Sequence, residues 1–189
     1  MVSMYEDREL VNKILDGNKS AFSILVKKYE RMVWFIVSRM VVEEDEIKDI
    51  CQEVFIQIYL KLEKFNFDSK LSTWIATIAY RFTLNHLKKR KKVSFSDLTD
   101  EIIIDHASYE NTPHQKVECK EKKEYIHNMV NELPIQYRTI VTLYHLNGFS
   151  YKEIADITAM PDGTVKNYLF RARKILKDIL KKNRIFISI

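Results

Sequence analysis

The sequence predicts an all-α protein: two small helical domains joined by a flexible linker, the C-terminal one containing a helix-turn-helix. Three observations carry that prediction. The 189 residues hold only three Gly and three Pro against 46% hydrophobic residues, too little turn chemistry for a hairpin-rich β fold. Apolar residues recur at steps of three and four along most of the chain. From Val93 to Gln115 that period stops: there is no Lys or Arg, Asp97, Asp100, Glu101, Asp105 and Glu110 are all negative, and Pro113 breaks what remains. The domains are therefore expected at 1–92 and 117–189, with an acidic linker over 93–116.

The first helix is expected over Tyr5–Leu15, stopped by Asp16-Gly17-Asn18. Ser20 can cap the second, Ala21–Met40, whose stripe of Phe22, Leu25, Val26, Tyr29, Val33, Ile36, Val37 and Met40 needs a core. The third, Asp45–Lys64, turns Ile47, Ile50, Cys51, Val54, Ile58 and Leu62 inward. Asp49, Gln52, Glu53 and Gln57 share another side with Ile56 and Leu60, a mixture that suits a protein contact or else a wide core stripe.

Lys64–Lys70 interrupts the period with Phe65, Asn66 and Phe67. Aromatics in a loop are either core plugs or stacking platforms for an unpaired base, whose edge Asn66 can hydrogen-bond. The fourth helix, Ser72–Lys91, buries Ile75, Ile78, Ala79 and Phe82, with His86 at the margin. Its opposite half carries Arg81, Asn85, Lys88 and Lys89, and five consecutive cations run from Lys88 to Lys92. Cations suit a helix C-terminus, but a basic stripe after an aromatic loop also suits a phosphate backbone.

Beyond the linker, Val117, Tyr125, Ile126, Met129, Val130 and Leu133 are the apolar positions of a helix ending before Pro134. Pro134 suits the first turn of the next, Ile135–Leu146, stopped by Asn147-Gly148. Ser150 with Glu153 forms a capping-box pattern opening a helix over Tyr151–Thr158. Pro161 and Gly163 break it, and a last helix runs from Thr164 past Leu176. On that helix Val165, Leu169, Ala172 and Leu176 form a packing stripe, and Ala155 is small enough for a close helix crossing. Lys166, Asn167, Phe170, Arg171 and Lys174 form the other face: cations for phosphates, Asn and Arg for base edges, a ring for apolar contact. This is the pattern of a helix-turn-helix that enters a major groove.

A net charge of +5 and a pI near 9 suit a polyanionic partner. Cys51 and Cys119 are isolated, as expected of unpaired thiols in a reducing cytoplasm. The five histidines show no ligand spacing, so no metal or cofactor is expected. Charges punctuate Met1–Leu15 and no apolar run approaches a membrane span, so neither a signal peptide nor membrane insertion is expected. No Gly-rich phosphate loop or nucleophile–base spacing points to an enzyme.

Taken in order, these stretches resemble the extracytoplasmic-function group of bacterial RNA polymerase sigma factors. In the first half the resemblance rests on Asp49-Ile50-Cys51-Gln52-Glu53-Val54-Phe55, then Phe67 followed by Lys70-Leu71-Ser72-Thr73-Trp74-Ile75. In the second half it rests on Leu133-Pro134, Arg138, Gly148 to Ala155, Gly163-Thr164-Val165-Lys166 and Arg171-Ala172-Arg173. The chain departs from the family pattern at Tyr80-Arg81, where Arg-Asn is frequent, at Asn85 in place of an Asp, and at Tyr168 in place of an Arg.

The resemblance implies a transcription initiation factor that binds core RNA polymerase and promoter DNA. It implies polymerase contacts at Asp49, Gln52 and Glu53. The minus-ten element would be met by Phe65, Asn66, Phe67, Lys70, Ser72, Thr73, Trp74, Arg81, Asn85, Lys88 and Lys89. The minus-thirty-five element would be read by Thr164, Lys166, Asn167, Phe170, Arg171 and Lys174. The linker would follow the polymerase's RNA exit path, and an anti-sigma factor, in the family often membrane-bound, would hold the protein inactive. A stand-alone helix-turn-helix regulator binding operator DNA is the alternative; it accounts for Phe149–Lys177 but leaves Lys64–Lys92 unexplained.

Overall fold

The computed structural model describes the backbone of residues 2–91 and 128–187, and the side chains of residues 6–89 and 128–182. The expected linker, Cys119 and the apolar end of the chain lie outside the described residues. Every regular element described is helical: α1 (Val2–Leu15), α2 (Lys19–Ser38), α3 (Glu44–Lys61), α4 (Leu71–Lys91), α5 (Ile135–Val141), α6 (Tyr151–Thr158) and α7 (Asp162–Ile187).

In the first half α2 is the central helix, packed on α1, α3 and α4. The predicted stripe is its buried side: Leu25, Tyr29, Val33, Ile36 and Val37 are all inside. Its cap is Asn18 rather than Ser20. The Asn18 side chain accepts from the Ala21 amide at 3.1 Å, so the helix begins two residues earlier than expected. Asp7, nearly buried, ties α1 to α2 by accepting from Lys28 Nζ at 2.6 Å and the Tyr29 hydroxyl at 3.3 Å. Burial and the neighbouring Asp7 charge both push the Tyr29 phenol upward. Between α3 and α4, His86 meets Glu46 at 3.0 Å.

The second half packs α5 and α6 on α7. Helix α5 does not continue regularly to Leu146; it opens into a wider turn over Thr142–Leu146, in which the Asn147 amide reaches the Thr142 carbonyl at 3.1 Å. Gly148, at φ +71°, then redirects the chain into α6.

The two halves do not keep separate cores. Their buried side chains form one contiguous cluster, and α4 packs against α6 as extensively as against α2. Arg39, at the C-terminal end of α2, is 1% exposed and hydrogen-bonds the Asn131 side chain from the second half. Among the described residues no helix is long and apolar enough to cross a membrane, and no group of three or more His, Cys, Asp or Glu is placed to hold a metal ion.

Candidate nucleic-acid interface

The last helix shows its two faces as the spacing predicts. Val165, Leu169 and Ala172 are buried and Leu176 half-buried, while Lys166, Asn167, Phe170, Arg171 and Lys174 are exposed. Phe170 stands 69% exposed, a ring presented to solvent by a helix with apolar residues buried one step away. Thr164, in the first turn, is half-buried.

The turn before α7 is built differently from expectation. Helix α6 ends because Ala159 takes a left-handed conformation, φ 58°, and the Met160 amide reaches back to the Ala155 carbonyl at 3.2 Å. Pro161 then supplies the carbonyl that accepts from the Thr164 and Val165 amides, at 2.9 and 3.1 Å. Gly163 lies inside the first turn of α7 with no positive φ, so its special freedom is unused. Three consequences of the fold were not anticipated beside this face. Tyr144 and Tyr151 stack at 5.1 Å, Arg173 lies over the Tyr144 ring at 5.9 Å, and Lys166 lies over the Tyr151 ring at 6.0 Å. The seven-residue step from Lys166 to Arg173 is the signal that places Arg173 on this side.

A second surface lies on α3. Asp49, Gln52 and Glu53 are exposed, and Ile56 and Leu60 continue the same face at 49% and 65% exposure. The inward stripe of Ile47, Ile50, Val54 and Ile58 is separate and complete, so the two exposed aliphatics are not part of a wide core stripe. Cys51, on the same helix, is half-buried, and burial pushes its thiol up to about 11, which keeps it protonated and unreactive.

The third surface is the loop after α3 with the start of α4. Phe65 is a core plug: it is 5% exposed and packs on Phe67 and Trp74, with ring centres 4.6 and 5.2 Å away. It therefore has no free face for a base in this arrangement. Phe67 is half-buried with φ 64°, and the Arg8 guanidinium lies 4.8 Å from its ring centre. A non-glycine residue in that region is strained, and such strain is usual in loops held for a purpose. What the plug supports is the display of Asn66, exposed and hydrogen-bonded to Asp68. Trp74 and Ser72 are half-buried.

Thr73 is covered by the second half. It is 3% exposed, and its hydroxyl donates to Glu153 Oε1 of α6 at 3.2 Å. Lys70 is exposed and pairs with the same oxygen at 3.0 Å. Farther along α4, Arg81, Asn85, Lys88 and Lys89 are all exposed, a basic strip clear of α6. Glu153 itself is held at about 2: burial raises it, but hydrogen bonds from the Ser150 amide and hydroxyl and the Lys70 ammonium more than offset that.

A mixed acidic-aliphatic face and an aromatic-basic corner, then a basic helix, in this chain order, fall within the matched sequence regions. Residues 25–93 match sigma-70 region 2 and residues 123–176 match sigma-70 region 4. Together these regions define a sigma factor, a transcription initiation factor that binds DNA.

The sigma-H factor of Pseudomonas aeruginosa is 34% identical over 187 residues, 96% of this chain and 97% of that protein. The extracytoplasmic-function sigma-E factor of Haemophilus influenzae is 30% identical over 184 residues, 94% and 97% of the two chains. That of Escherichia coli K12 is 32% identical over 184 residues, 93% and 95%. The chain belongs to the extracytoplasmic-function group of sigma factors. Its fold is also that of CnrH in complex with the cytosolic domain of CnrY, TM-score 0.66 at 18% identity over 93% of this chain and 97% of that one. The sigma factor RpoE of Bartonella quintana, in complex with the anti-sigma factor NepR, gives TM-score 0.63 at 22% identity, covering 85% and 96%.

Proposed function

We propose that this sigma factor divides its work among the three surfaces. The α3 face, with Asp49, Gln52 and Glu53 around Ile56 and Leu60, docks on core RNA polymerase. Charged groups around apolar anchors give a docking face both orientation and area. The exposed residues of the third surface, Asn66, Lys70, Arg81, Asn85, Lys88 and Lys89, meet the minus-ten element and its adjoining phosphates. Phe65, Phe67 and Trp74 hold that loop in shape, and Ser72 and Thr73 reach DNA only when α6 moves away. The minus-thirty-five element is read by Lys166, Asn167, Phe170, Arg171 and Lys174, with Thr164 at the helix start.

The observation that carries this reading is the split of α7 into a buried aliphatic stripe and an exposed face bearing Phe170 beside cations and an Asn. A ring left in water on a well-packed helix suits contact with a thymine methyl or another base edge. The division also suits the energetics. Extruding a base costs a few kcal/mol, and a good base contact returns about 1–3 kcal/mol, so a small basic protein relies on polymerase for the remainder. The protein acts in the cytoplasm, catalyses no reaction itself and is held in check by an anti-sigma factor. That regulator is supported by the likeness to a sigma factor solved in complex with an anti-sigma factor.

Run-off transcription with core polymerase and genomic fragments tests the reading. Discrete start sites should appear only when the chain is added. The same start sites with and without it, or none with it, would reject the assignment.

A further inference from the structure

Glu153 stands where the two halves meet, and its two oxygens have different partners. Oε2 accepts from the Ser150 amide at 2.8 Å and the Ser150 hydroxyl at 2.7 Å, closing the capping box of α6. Oε1 turns away from α6 and accepts from Thr73 and Lys70 of the first half. A capping box requires only one of those oxygens. The other therefore serves the contact between halves.

That contact covers more than one residue. From Thr73, steps of three and seven along α4 reach Ala76 and Tyr80, both buried. Burial and the nearby Tyr168 of α7 push the Tyr80 phenol up to about 12. Two turns of α4 are thus roofed by the second half, while Arg81, Asn85, Lys88 and Lys89 stay outside. The covered part begins where a carboxylate meets a lysine, a threonine hydroxyl and the amino end of a helix, the groups that receive a backbone phosphate.

We propose that Glu153 is the latch of an autoinhibited state: in the free chain its carboxylate takes the Lys70–Thr73 position that a phosphate of the minus-ten strand takes in the working state, so the halves must part before that strand binds. The consequence for DNA rests on the minus-ten assignment above; the closed arrangement itself does not.

The closed state is also built to yield. Arg39 is almost fully buried between the halves, and its guanidinium is destabilised by burial and by the like charge of Arg138. Interring a cation beside another cation is unfavourable, and parting the halves returns Arg39 to water. The Lys70 side chain is 75% exposed, so its ion pair is screened and weak by itself. The buried Thr73 bond and the apolar roof carry more of the closure. A closure of many modest parts, loaded with one buried cation, releases readily when polymerase and DNA compete for its pieces.

Small-angle X-ray scattering of the full chain, with single-stranded DNA binding measured in parallel, tests this. The variants are Glu153→Gln, which keeps a capping-box residue but presents an amide donor to Lys70, and Lys70→Gln, which breaks the latch from the other side. Asp156→Asn, exposed on the same helix, is the control for the change in charge. The wild type and Asp156→Asn should scatter as compact particles, and both latch variants should be measurably more extended with unchanged helical circular dichroism. Glu153→Gln should bind a fluorescein-labelled mixed-sequence oligonucleotide about tenfold more tightly than Asp156→Asn, the weight of one hydrogen bond to a charged group.

An extended wild type, or latch variants as compact as the control, would overturn the latch. Should Glu153→Gln lose helix content, Lys70→Gln alone decides the scattering result. Expansion without a gain in affinity would overturn the competition with DNA and trace the failure to the minus-ten assignment.

Discussion

Helices α4 and α7 are both basic, both long and both assigned to DNA in the proposal above, yet they are presented in opposite ways. On α7 the polar face is exposed, including Phe170, while the aliphatic stripe behind it is sealed by α5 and α6. On α4 only the distal strip is open, and the first two turns are roofed by α6. The difference follows from what each face carries. A face of lysines, Asn and Arg is well solvated and needs no cover. The start of α4, with Thr73, Ala76 and Tyr80, is small and apolar enough to pack, and it buries against whatever apolar face is offered. The surface proposed to accept DNA is thereby also shaped to accept the protein's own second half.

The largest effect that can break this contrast lies behind the reading face. Leu169→Ala should destabilise the second half by about 2–5 kcal/mol, as buried leucine truncations do, seen as a lowered melting temperature. Phe170→Ala, one residue on, should leave melting unchanged and weaken binding to promoter DNA. Equal melting losses for the two would mean that α7 is not divided as described.

Next in size, Arg171→Ala should cost about 1–3 kcal/mol on promoters with the preferred minus-thirty-five sequence and less on others. A uniform loss would place Arg171 on phosphates rather than bases. Glu53→Lys should weaken core polymerase binding by about 1.5 kcal/mol, the low end for a close charge pair, in a pull-down titration. Normal assembly would reject the α3 face.

The smallest effect concerns acid. Glu153 is held at about 2, below the ordinary carboxylate value of 4.5, so the stability it contributes is present above pH 4.5 and is lost as pH falls toward 2. Scattering should show the wild type opening over that window, with Glu153→Gln already open and lacking that step. An identical acid profile for the two would separate Glu153 from the closure.

Much of this was legible in the residues. A three-four period placed α2, α3, α4 and α7 because an amphipathic stripe is a local property, and the Ser150–Glu153 capping box formed as its spacing requires. Local chemistry failed where two residues were equally able: Asn18 and Ser20 can both cap, and it is the Asn18 side chain that accepts from the Ala21 amide. The end of α6 was hidden because an alanine, not the nearby Gly163, takes the left-handed turn, held there by the Met160 amide. The roofing of α4 was also hidden. Thr73 and Glu153 are separated by 80 residues, and no spacing rule spans that distance. Burial of Arg39 is of the same kind: a cation after a helix reads as a solvated end until a partner from the other half encloses it.

Permanganate footprinting of a promoter found by run-off transcription tests the central claim most directly, because it reports unpaired thymines. With core polymerase and this chain together, reactive thymines should appear around the minus-ten element and at neither component's addition alone. A duplex that stays unreactive with both present would contradict the account.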